Sequence, residues 1–261
     1  MIRASAEVGT AVVTGAASGI GAAAAAALVD RGWVVHGADR TPTSCAAGCD
    51  DHVVDVTDEH GLVRLAESLG SVDALVTAAG VLIRPGDGST ATLDLTAWER
   101  TLAVNVTGTM LTVRAFAGRL SDGGAVVTVG SVAGISAMVG VDAYTASKGA
   151  VVALTRALAV DYSRRGIRVN CVCPGPTDTA MMQRVFADRE PERRLELPQQ
   201  RMATASEVAA VIAFLASPEA SYVSGAIVPV DGAATANTAG MPFPRLLTDE
   251  GGRGRTPRRS P

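Results

Sequence analysis

Residues Thr10–Gly21 read TAVVTGAASGIG, in which a short apolar run meets a glycine-rich turn at the start of a long alanine-rich stretch. The apolar run is typical of a buried strand, and the alanine-rich stretch is typical of a helix. Gly15, Gly19 and Gly21 allow a tight turn whose free main-chain N–H groups favour an anion at the helix N-terminus. The GxxxGxG spacing differs from the common GxGxxG, so the strand–turn–helix context carries the prediction of a phosphate-binding loop.

Short Val-rich runs alternate with longer helical stretches along the chain, and they lack the polar and apolar alternation of half-exposed strands. Repeated strand–helix–strand units predict an α/β fold, a single doubly wound Rossmann-like domain with a seven-stranded parallel sheet flanked by helices. Strands are predicted at Thr10–Thr14, Trp33–Asp39, Asp51–Val56, Val72–Gly80, Gly124–Ser131, Ile167–Gly175 and Gly225–Gly232. Helices are predicted at 19–31, 58–70, 96–119, 143–165 and 206–216.

Two segments, at about 178–203 and at 233–261, depart from this alternation of strands and helices. Residues 1–232 are predicted to form one dinucleotide-binding and catalytic domain, with a mobile substrate flap at about 178–203. Arginines of the flap would either clamp an anionic substrate or, together with the neighbouring acidic residues, form a solvated helix face. Residues 233–261 are a C-terminal extension rich in Gly, Pro and Arg, and its end is expected to be disordered.

Composition excludes several classes of protein. Of 261 residues, 48% are hydrophobic and 19% charged, which supplies a buried core. The net charge of −3 argues against binding nucleic acid through bulk electrostatics. There is no secretion signal and no apolar run long enough to span a membrane, so a cytoplasmic protein is expected. The four cysteines match no usual zinc spacing; we expect them to be reduced and expect no metal site.

Asp39 ends the second predicted strand, 24 residues after Gly15. An acidic side chain at this place accepts hydrogen bonds from the adenosine ribose and repels a 2′-phosphate, which predicts NAD rather than NADP. The neighbouring Arg40 is a candidate partner for such a phosphate and keeps NADP open. Asp55, after the third strand, is expected to face the adenine, to begin the next helix, or both.

Tyr144 and Lys148 are four residues apart at the start of a predicted helix, so they lie on one face. An ammonium about 4 Å from a phenol is worth roughly 4 kcal/mol at an effective dielectric constant of 20. We therefore expect Lys148 to lower the pKa of Tyr144 from its ordinary value near 10 by up to about 3.

Five motifs follow one another on the predicted elements: TGAASGIG (Thr14–Gly21), TAAG (Thr77–Gly80), LAVNVTG around Asn105, Ser131, and Tyr144-xxx-Lys148. Together with CPGPTDT (Cys173–Thr179) and SYVSGAIVPVDG (Ser221–Gly232), they make residues 8–232 resemble the short-chain dehydrogenase/reductase family. Thr77 and Ala78 stand where that family has two asparagines, so the adenine-side wall is expected to differ modestly.

The resemblance implies that Tyr144 is the general acid/base, that Lys148 binds the nicotinamide ribose, and that Ser131 hydrogen-bonds the substrate oxygen. It implies that Asn105 holds a water in a proton relay to Lys148; the alternative is a buried amide bonded to the backbone. Thr179 would bond the nicotinamide carboxamide, and Pro174 and Gly175 would shape the turn beneath it. The expected cofactor-binding residues are Gly15, Ser18, Gly19, Ile20, Gly21, Asp39, Arg40, Asp55, Val56, Ala78, Ala79, Gly80, Tyr144, Lys148, Pro174, Gly175, Thr177 and Thr179.

The expected function is NAD-dependent interconversion of a secondary alcohol, cyclic diol or hydroxy acid with its ketone. The alternatives are an NADPH-dependent ketoreductase for 3-oxoacyl thioesters or polyketides and a catalytically silent dinucleotide-binding regulator. A small-molecule pocket is expected between Val132–Asp142, residues 81–84 and the flap. The family is usually oligomeric, so we expect a homotetramer or homodimer formed by the helices at 96–119 and 143–165.

Overall fold

A computed structural model describes residues 9–42, 48–187 and 197–236. Its strands form one fully parallel sheet in the order β3-β2-β1-β4-β5-β6-β7, which confirms the predicted seven-stranded doubly wound architecture. The strands are β1 Thr10–Thr14, β2 Val34–Asp39, β3 Cys49–Val53, β4 Val72–Thr77, β5 Leu120–Val129, β6 Arg168–Pro174 and β7 Ile227–Val230.

Helices cover both faces of the sheet. They are α1 Gly19–Val29, α2 Glu59–Ser68, α3 Leu95–Leu102, α4 Gly108–Phe116, α5 Asp142–Asp161, α6 Ala180–Ala187 and α7 Ala205–Ala216. The single helix predicted at 96–119 is wrong in detail, because a π-helical segment, Ala103–Thr107, separates α3 from α4. Helix α6 lies inside the predicted flap, for which a solvated helix face was one of the two alternatives. Residues 188–196 of the flap and the extension from 237 onward lie outside the described residues.

Side chains that alternate along β1 pack into two separate cores, one on each face of the sheet. Val13 packs with Leu28 of α1 and Ile212 of α7 on one face of the sheet. Val12 packs on the other face with Leu62 of α2 and Phe116 of α4. Because both faces are covered, the strands read as continuous apolar runs rather than alternating ones.

The chain reverses its direction of progression between β1 and β4, which are neighbours in the sheet. In doubly wound folds, ligands bind in the crevice at the carboxyl ends of the two strands that flank this reversal. Thr14 and Thr77 pair across this point, as the last residues of β1 and β4. The glycine-rich turn and the TAAG segment therefore begin at the same edge.

Three further predictions from the sequence can be compared with the structure. Strand β3 begins at Cys49 and ends at Val53, earlier than the predicted Asp51–Val56, because the chain turns at Asp55. Cys49 is disulfide-bonded, so the expectation that all four cysteines are reduced is wrong. Across the described ranges, no helix is both long and apolar enough to cross a bilayer.

Candidate active site

The glycine-rich turn packs directly on the TAAG segment. Gly15 has a φ of +75°, and a Cβ there would lie 2.7 Å from the main-chain nitrogen of Ala79. A Cβ on Gly21 would lie 2.1 Å from the carbonyl oxygen of Gly15. Only glycine fits at these two positions, so the tight glycine turn predicted from the sequence is required by the packing of the loop.

The N-terminus of α1 is suited to an anion. Ser18 precedes the helix and makes no side-chain capping hydrogen bond within the described part of the chain. The first turn contains no acidic residue, so nothing there opposes a phosphate. Free N–H groups and the helix dipole favour the pyrophosphate of a dinucleotide at this position.

Asp39 points its carboxylate toward this turn. Its Oδ2 accepts a hydrogen bond from the Ala17 amide at 3.2 Å, and its Oδ1 accepts one from the Thr41 amide at 3.2 Å. Arg40 is exposed. The hydroxyl of Thr77 is buried without a hydrogen-bond partner among the described residues, at the end of β4 where the adenine wall was predicted. These groups fit a dinucleotide.

Asp55 does not begin a helix. Its Oδ1 accepts hydrogen bonds from the amide and the hydroxyl of Thr57 at 2.8 and 2.7 Å, and its Oδ2 lies 3.5 Å from Arg100. Although burial raises it, the Thr57 hydrogen bonds and Arg100 hold the pKa of Asp55 below its usual value. Asp58 is the residue that precedes α2, and Val56 packs against Gly108 of α4. The cofactor roles of Asp55 and Val56 stay predictions.

Tyr144, in the first turn of α5, meets Ser131 at the end of β5. The Ser131 hydroxyl lies close enough to the phenol to lower the pKa of Tyr144. The Ser131 hydroxyl oxygen also accepts a hydrogen bond from the Ala133 amide at 3.1 Å, which fixes its orientation. Two groups that can hydrogen-bond one substrate oxygen are thereby held together.

Lys148 reaches the same place from the next turn of α5. Its ammonium donates to the Val129 carbonyl at 2.8 Å and lies 5.7 Å from the centroid of the Tyr144 ring. Burial lowers the pKa of Lys148 from 10.5 to about 8, although the thiols of Cys171 and Cys173 oppose this. Lys148 is also the only lysine in the sequence; every other basic side chain apart from histidine is arginine. That observation was missed in the sequence analysis.

The predicted lowering of the Tyr144 pKa is wrong. Burial raises the pKa of Tyr144 above its usual value, and the nearby Ser131 hydroxyl opposes the rise only in part. The ammonium is directed at the Val129 carbonyl, to which it donates at 2.8 Å, and lies 5.7 Å from the centroid of the ring. The phenol is therefore protonated at neutral pH.

Asn105 is buried in the π-helical segment. Its Oδ1 accepts from the Val81 amide at 2.8 Å, and its Nδ2 donates to the Val81 carbonyl at 3.0 Å and to the Ser147 hydroxyl at 2.9 Å. This is the buried, backbone-bonded amide named as the alternative. A role of Asn105 in a proton relay stays a prediction.

Two residues of this site were missed. Ser147 accepts from Asn105 and donates to the Tyr144 carbonyl at 2.7 Å, so it joins the π-helical segment to the helix that carries the tyrosine. Asp87 is buried and accepts hydrogen bonds from the amides of Ala143 and Tyr144, both at 3.0 Å. A partner 57 residues distant leaves no signal in local spacing.

The loop after β6 closes the site. A Cβ on Gly19 would lie 3.4 Å from Thr179 Cγ2, which places this loop against the glycine-rich turn. The Thr177 hydroxyl donates to the Gly175 carbonyl at 2.9 Å, and the Thr179 hydroxyl accepts from the Met182 amide at 3.4 Å. Pro174 ends β6 at the base of the loop. The described residues contain no group of three or more His, Cys, Asp or Glu side chains able to hold a metal.

A family model described as enoyl-(acyl carrier protein) reductase matches residues 15–235. The chain is also 40% identical over 246 residues to 2-(S)-hydroxypropyl-CoM dehydrogenase 3 of Xanthobacter autotrophicus, with 86% of this chain and 95% of the relative covered. The chain belongs to the short-chain dehydrogenase/reductase family. It is thus an oxidoreductase that interconverts secondary alcohols and ketones.

Two more comparisons agree with this assignment. This short-chain dehydrogenase is 40% identical over 246 residues to cis-4-hydroxycyclohexanecarboxylate dehydrogenase of Sinomonas cyclohexanicum, covering 87% of this chain and 96% of the relative. The aldohexose dehydrogenase of Thermoplasma acidophilum, solved in ligand-free form, superposes with a TM-score of 0.83 at 29% identity. That alignment covers 92% of this chain and 98% of the other.

Proposed function

We propose that this short-chain dehydrogenase uses NAD to interconvert a small secondary alcohol, either cyclic or carrying a carboxylate, with its ketone. The observation that carries the proposal is the placement of the Ser131 hydroxyl beside the Tyr144 phenol, with the only lysine of the chain 5.7 Å from the centroid of the tyrosine ring. The relatives that are 40% identical are named for hydroxylated substrates with a charged group or a ring, which supports the substrate class.

The cofactor would lie along the crevice described above. Gly15, Gly19 and Gly21 would admit its pyrophosphate at the start of α1, and Asp39 would accept hydrogen bonds from the adenosine ribose. Ser18, Ile20, Ala78, Ala79 and Gly80 would contact the cofactor beside these groups. When bound, NAD supplies the acceptor or donor of a hydride at the carbon that carries the substrate oxygen.

Tyr144 and Ser131 would bind the substrate oxygen together. Burial keeps the phenol of Tyr144 protonated at neutral pH, which suits it to donate a proton to a carbonyl oxygen during ketone reduction. For alcohol oxidation the same oxygen must accept a proton. Lys148 supports that state, because its ammonium lies next to the ring and would stabilise a tyrosinate.

The preference for NAD rests on Asp39. Its carboxylate is held beside the glycine-rich turn by the Ala17 amide, where it would repel a 2′-phosphate. Titrations with NADH and with NADPH, monitored by tryptophan fluorescence, test this preference. Tighter binding of NADH is expected, and tighter binding of NADPH would contradict the role of Asp39.

A second candidate is an NADPH-dependent ketoreductase. The exposed Arg40 next to Asp39 favours it, since an unobstructed guanidinium can pair with a phosphate. Changing Arg40 to Ala separates the two candidates. The variant should bind NADPH at least tenfold more weakly if Arg40 reads a phosphate, and should leave NADH binding unchanged in either case.

Substrate class is tested with a panel followed by absorbance of the reduced cofactor. The panel contains cis-4-hydroxycyclohexanecarboxylate, its 4-oxo counterpart, 2-hydroxypropyl-coenzyme M, and an aldohexose. We expect turnover of at least one charged or cyclic secondary alcohol, lost in Tyr144→Phe. Turnover retained in that variant would overturn the proposed mechanism.

We also propose that the protein is cytoplasmic and forms a homotetramer or homodimer through α4 and α5. The outer side of α5 carries Val160, which is 73% exposed and apolar. A mass by light scattering close to the monomer value of 26.5 kDa would contradict the oligomer.

A further inference from the structure

Helix α5 receives its N-terminal cap from a distant loop. The first N–H groups of a helix have no partner within the helix itself. Val141, which precedes α5, makes no side-chain capping bond. The amide of Asp142 donates to the Gly88 carbonyl at 3.1 Å, and the amides of Ala143 and Tyr144 donate to Oδ1 and Oδ2 of Asp87.

The burial and surroundings of Asp87 favour this contact. Its side chain is only 6% exposed, and no arginine or lysine of the described ranges forms an ion pair with it. The charge of a buried carboxylate must be compensated, and here the compensation comes from two amides at the positive end of a helix dipole. One of these two amides belongs to Tyr144.

The surrounding loop is fixed to the same helix end by other contacts. Asp142 Oδ2 accepts hydrogen bonds from the amide and the hydroxyl of Thr90, both at 2.7 Å. The Arg84 guanidinium donates to the Gly140 carbonyl at 2.9 Å. The loop at 84–90 and the chain at 140–144 therefore hold each other in one arrangement.

Tyr144 is consequently held by two hydrogen bonds of its backbone. Asp87 accepts from its amide and Ser147 donates to its carbonyl, while the Ser131 hydroxyl lies beside its phenol. The phenol contact is the one that the proposed chemistry uses. A displacement of about 1 Å at a reacting group can lower a rate by about a hundredfold.

We propose that Asp87 is a positioning residue, which fixes the first turn of α5 and thereby keeps the Tyr144 phenol in contact with Ser131. The proposal rests on the proposed function in taking Tyr144 as the acid/base. The loop between β4 and α3 thus contributes to the reaction, although the Asp87 carboxylate contacts the backbone of α5.

The first test measures the contact itself. Hydrogen exchange of the peptide that contains Ala143 and Tyr144 is compared between the wild type, Asp87→Ala and Asp94→Ala. Asp94 is a matched control, because its carboxylate caps the neighbouring α3 through the Thr96 amide at 2.9 Å. Exchange at the start of α5 should be at least tenfold faster in Asp87→Ala only. Unchanged exchange would overturn the proposal, and this measurement needs no substrate.

The second test measures the consequence, with NAD and cis-4-hydroxycyclohexanecarboxylate as the assay pair. In Asp87→Ala we expect kcat to fall ten- to a hundredfold while the Kd for NADH changes less than twofold. Asp87→Asn, which keeps one acceptor oxygen, should recover part of the lost rate. A normal kcat in either folded variant, or an equal loss in Asp94→Ala, would overturn the positioning role, as would loss of folding in both Asp87 variants.

The two proposals fail differently. If the wild type oxidises no panel member, or Tyr144→Phe keeps its activity, the proposed function fails while the exchange result still stands for or against the contact. If Tyr144→Phe is inactive but both Asp87 variants turn over normally, only the positioning role fails.

Discussion

Replacing Lys148 by methionine should make the protein more stable while abolishing its activity. Burial lowers the pKa of the ammonium from 10.5 to about 8, and each tenfold difference in proton affinity corresponds to about 1.4 kcal/mol. The charged lysine thus costs the folded protein about 3 kcal/mol. In the methionine variant, loss of the hydrogen bond to the Val129 carbonyl offsets about 1 kcal/mol of this gain. The free energy of unfolding should therefore rise by about 2 kcal/mol at pH 7.

The sign of the pH dependence gives a sharper test. Below pH 8 the lysine is charged in both the folded and the unfolded protein, so the full penalty is present. As the pH rises from about 8 to 10.5, the folded protein releases this proton before the unfolded chain does, and the stability of the wild type increases. The advantage of the methionine variant should therefore shrink over that range.

Urea unfolding followed by tryptophan fluorescence measures both effects. Arg156→Met is the matched control, since it removes an exposed cation from the same helix; its effect should be within about 0.5 kcal/mol and independent of pH. A Lys148→Met protein that is less stable than the wild type at pH 7, or equally stabilised at pH 7 and 10, would refute the reasoning. Its catalytic rate should be reduced at least a hundredfold.

Three further changes have defined outcomes. Gly15→Ala introduces a Cβ about 2.7 Å from the Ala79 nitrogen at a positive φ, so we expect loss of NADH binding in a calorimetric titration and a Tm lowered by at least about 5 °C. Asp39→Ala should raise the Kd for NADH about tenfold and narrow the preference over NADPH; an unchanged ratio would show that Asp39 reads no ribose. Arg168→Met removes a buried guanidinium that donates to the carbonyls of Leu215 at 2.7 Å and Ser217 at 3.0 Å, at the C-terminal end of α7, and chemical denaturation should show a loss of about 3 kcal/mol. A loss below about 1 kcal/mol would show that Arg168 does not stabilise this helix end.

The sheet could be predicted because its strands are buried on both faces. Runs such as Thr10–Thr14 stand out as continuous apolar segments between glycines, and the turn chemistry of Gly15 and Gly21 depends on local sterics. Such signals are contained within about ten residues of sequence.

The interruption between α3 and α4 could not be predicted. Residues 103–107 contain neither Gly nor Pro to mark an interruption, and Asn105 in the π-helical turn contacts Val81 and Ser147. Those partners lie 24 and 42 residues away in the chain. Only the tertiary structure brings them together.

The motifs identified Tyr144 and Lys148, but they did not predict how the protein shifts the pKa of each side chain. The spacing of four residues puts both on one face, as predicted, and it says nothing of how much burial each undergoes. Burial is the largest influence on the pKa of both groups, and it depends on β5, β6 and α5 together. Asp87 shows the same limit, because its contact with α5 spans 57 residues of chain.

The central claim is that Tyr144 transfers the proton of the substrate hydroxyl, and Tyr144→Phe tests it most directly. Single-turnover oxidation of cis-4-hydroxycyclohexanecarboxylate, or of the best panel substrate, would be measured with NAD beside the Kd for NADH. Because general acid–base catalysis contributes about a hundredfold or more, we expect at least that loss in rate, with the Kd changed less than twofold. A rate within tenfold of the wild type at unchanged NADH affinity would contradict the account.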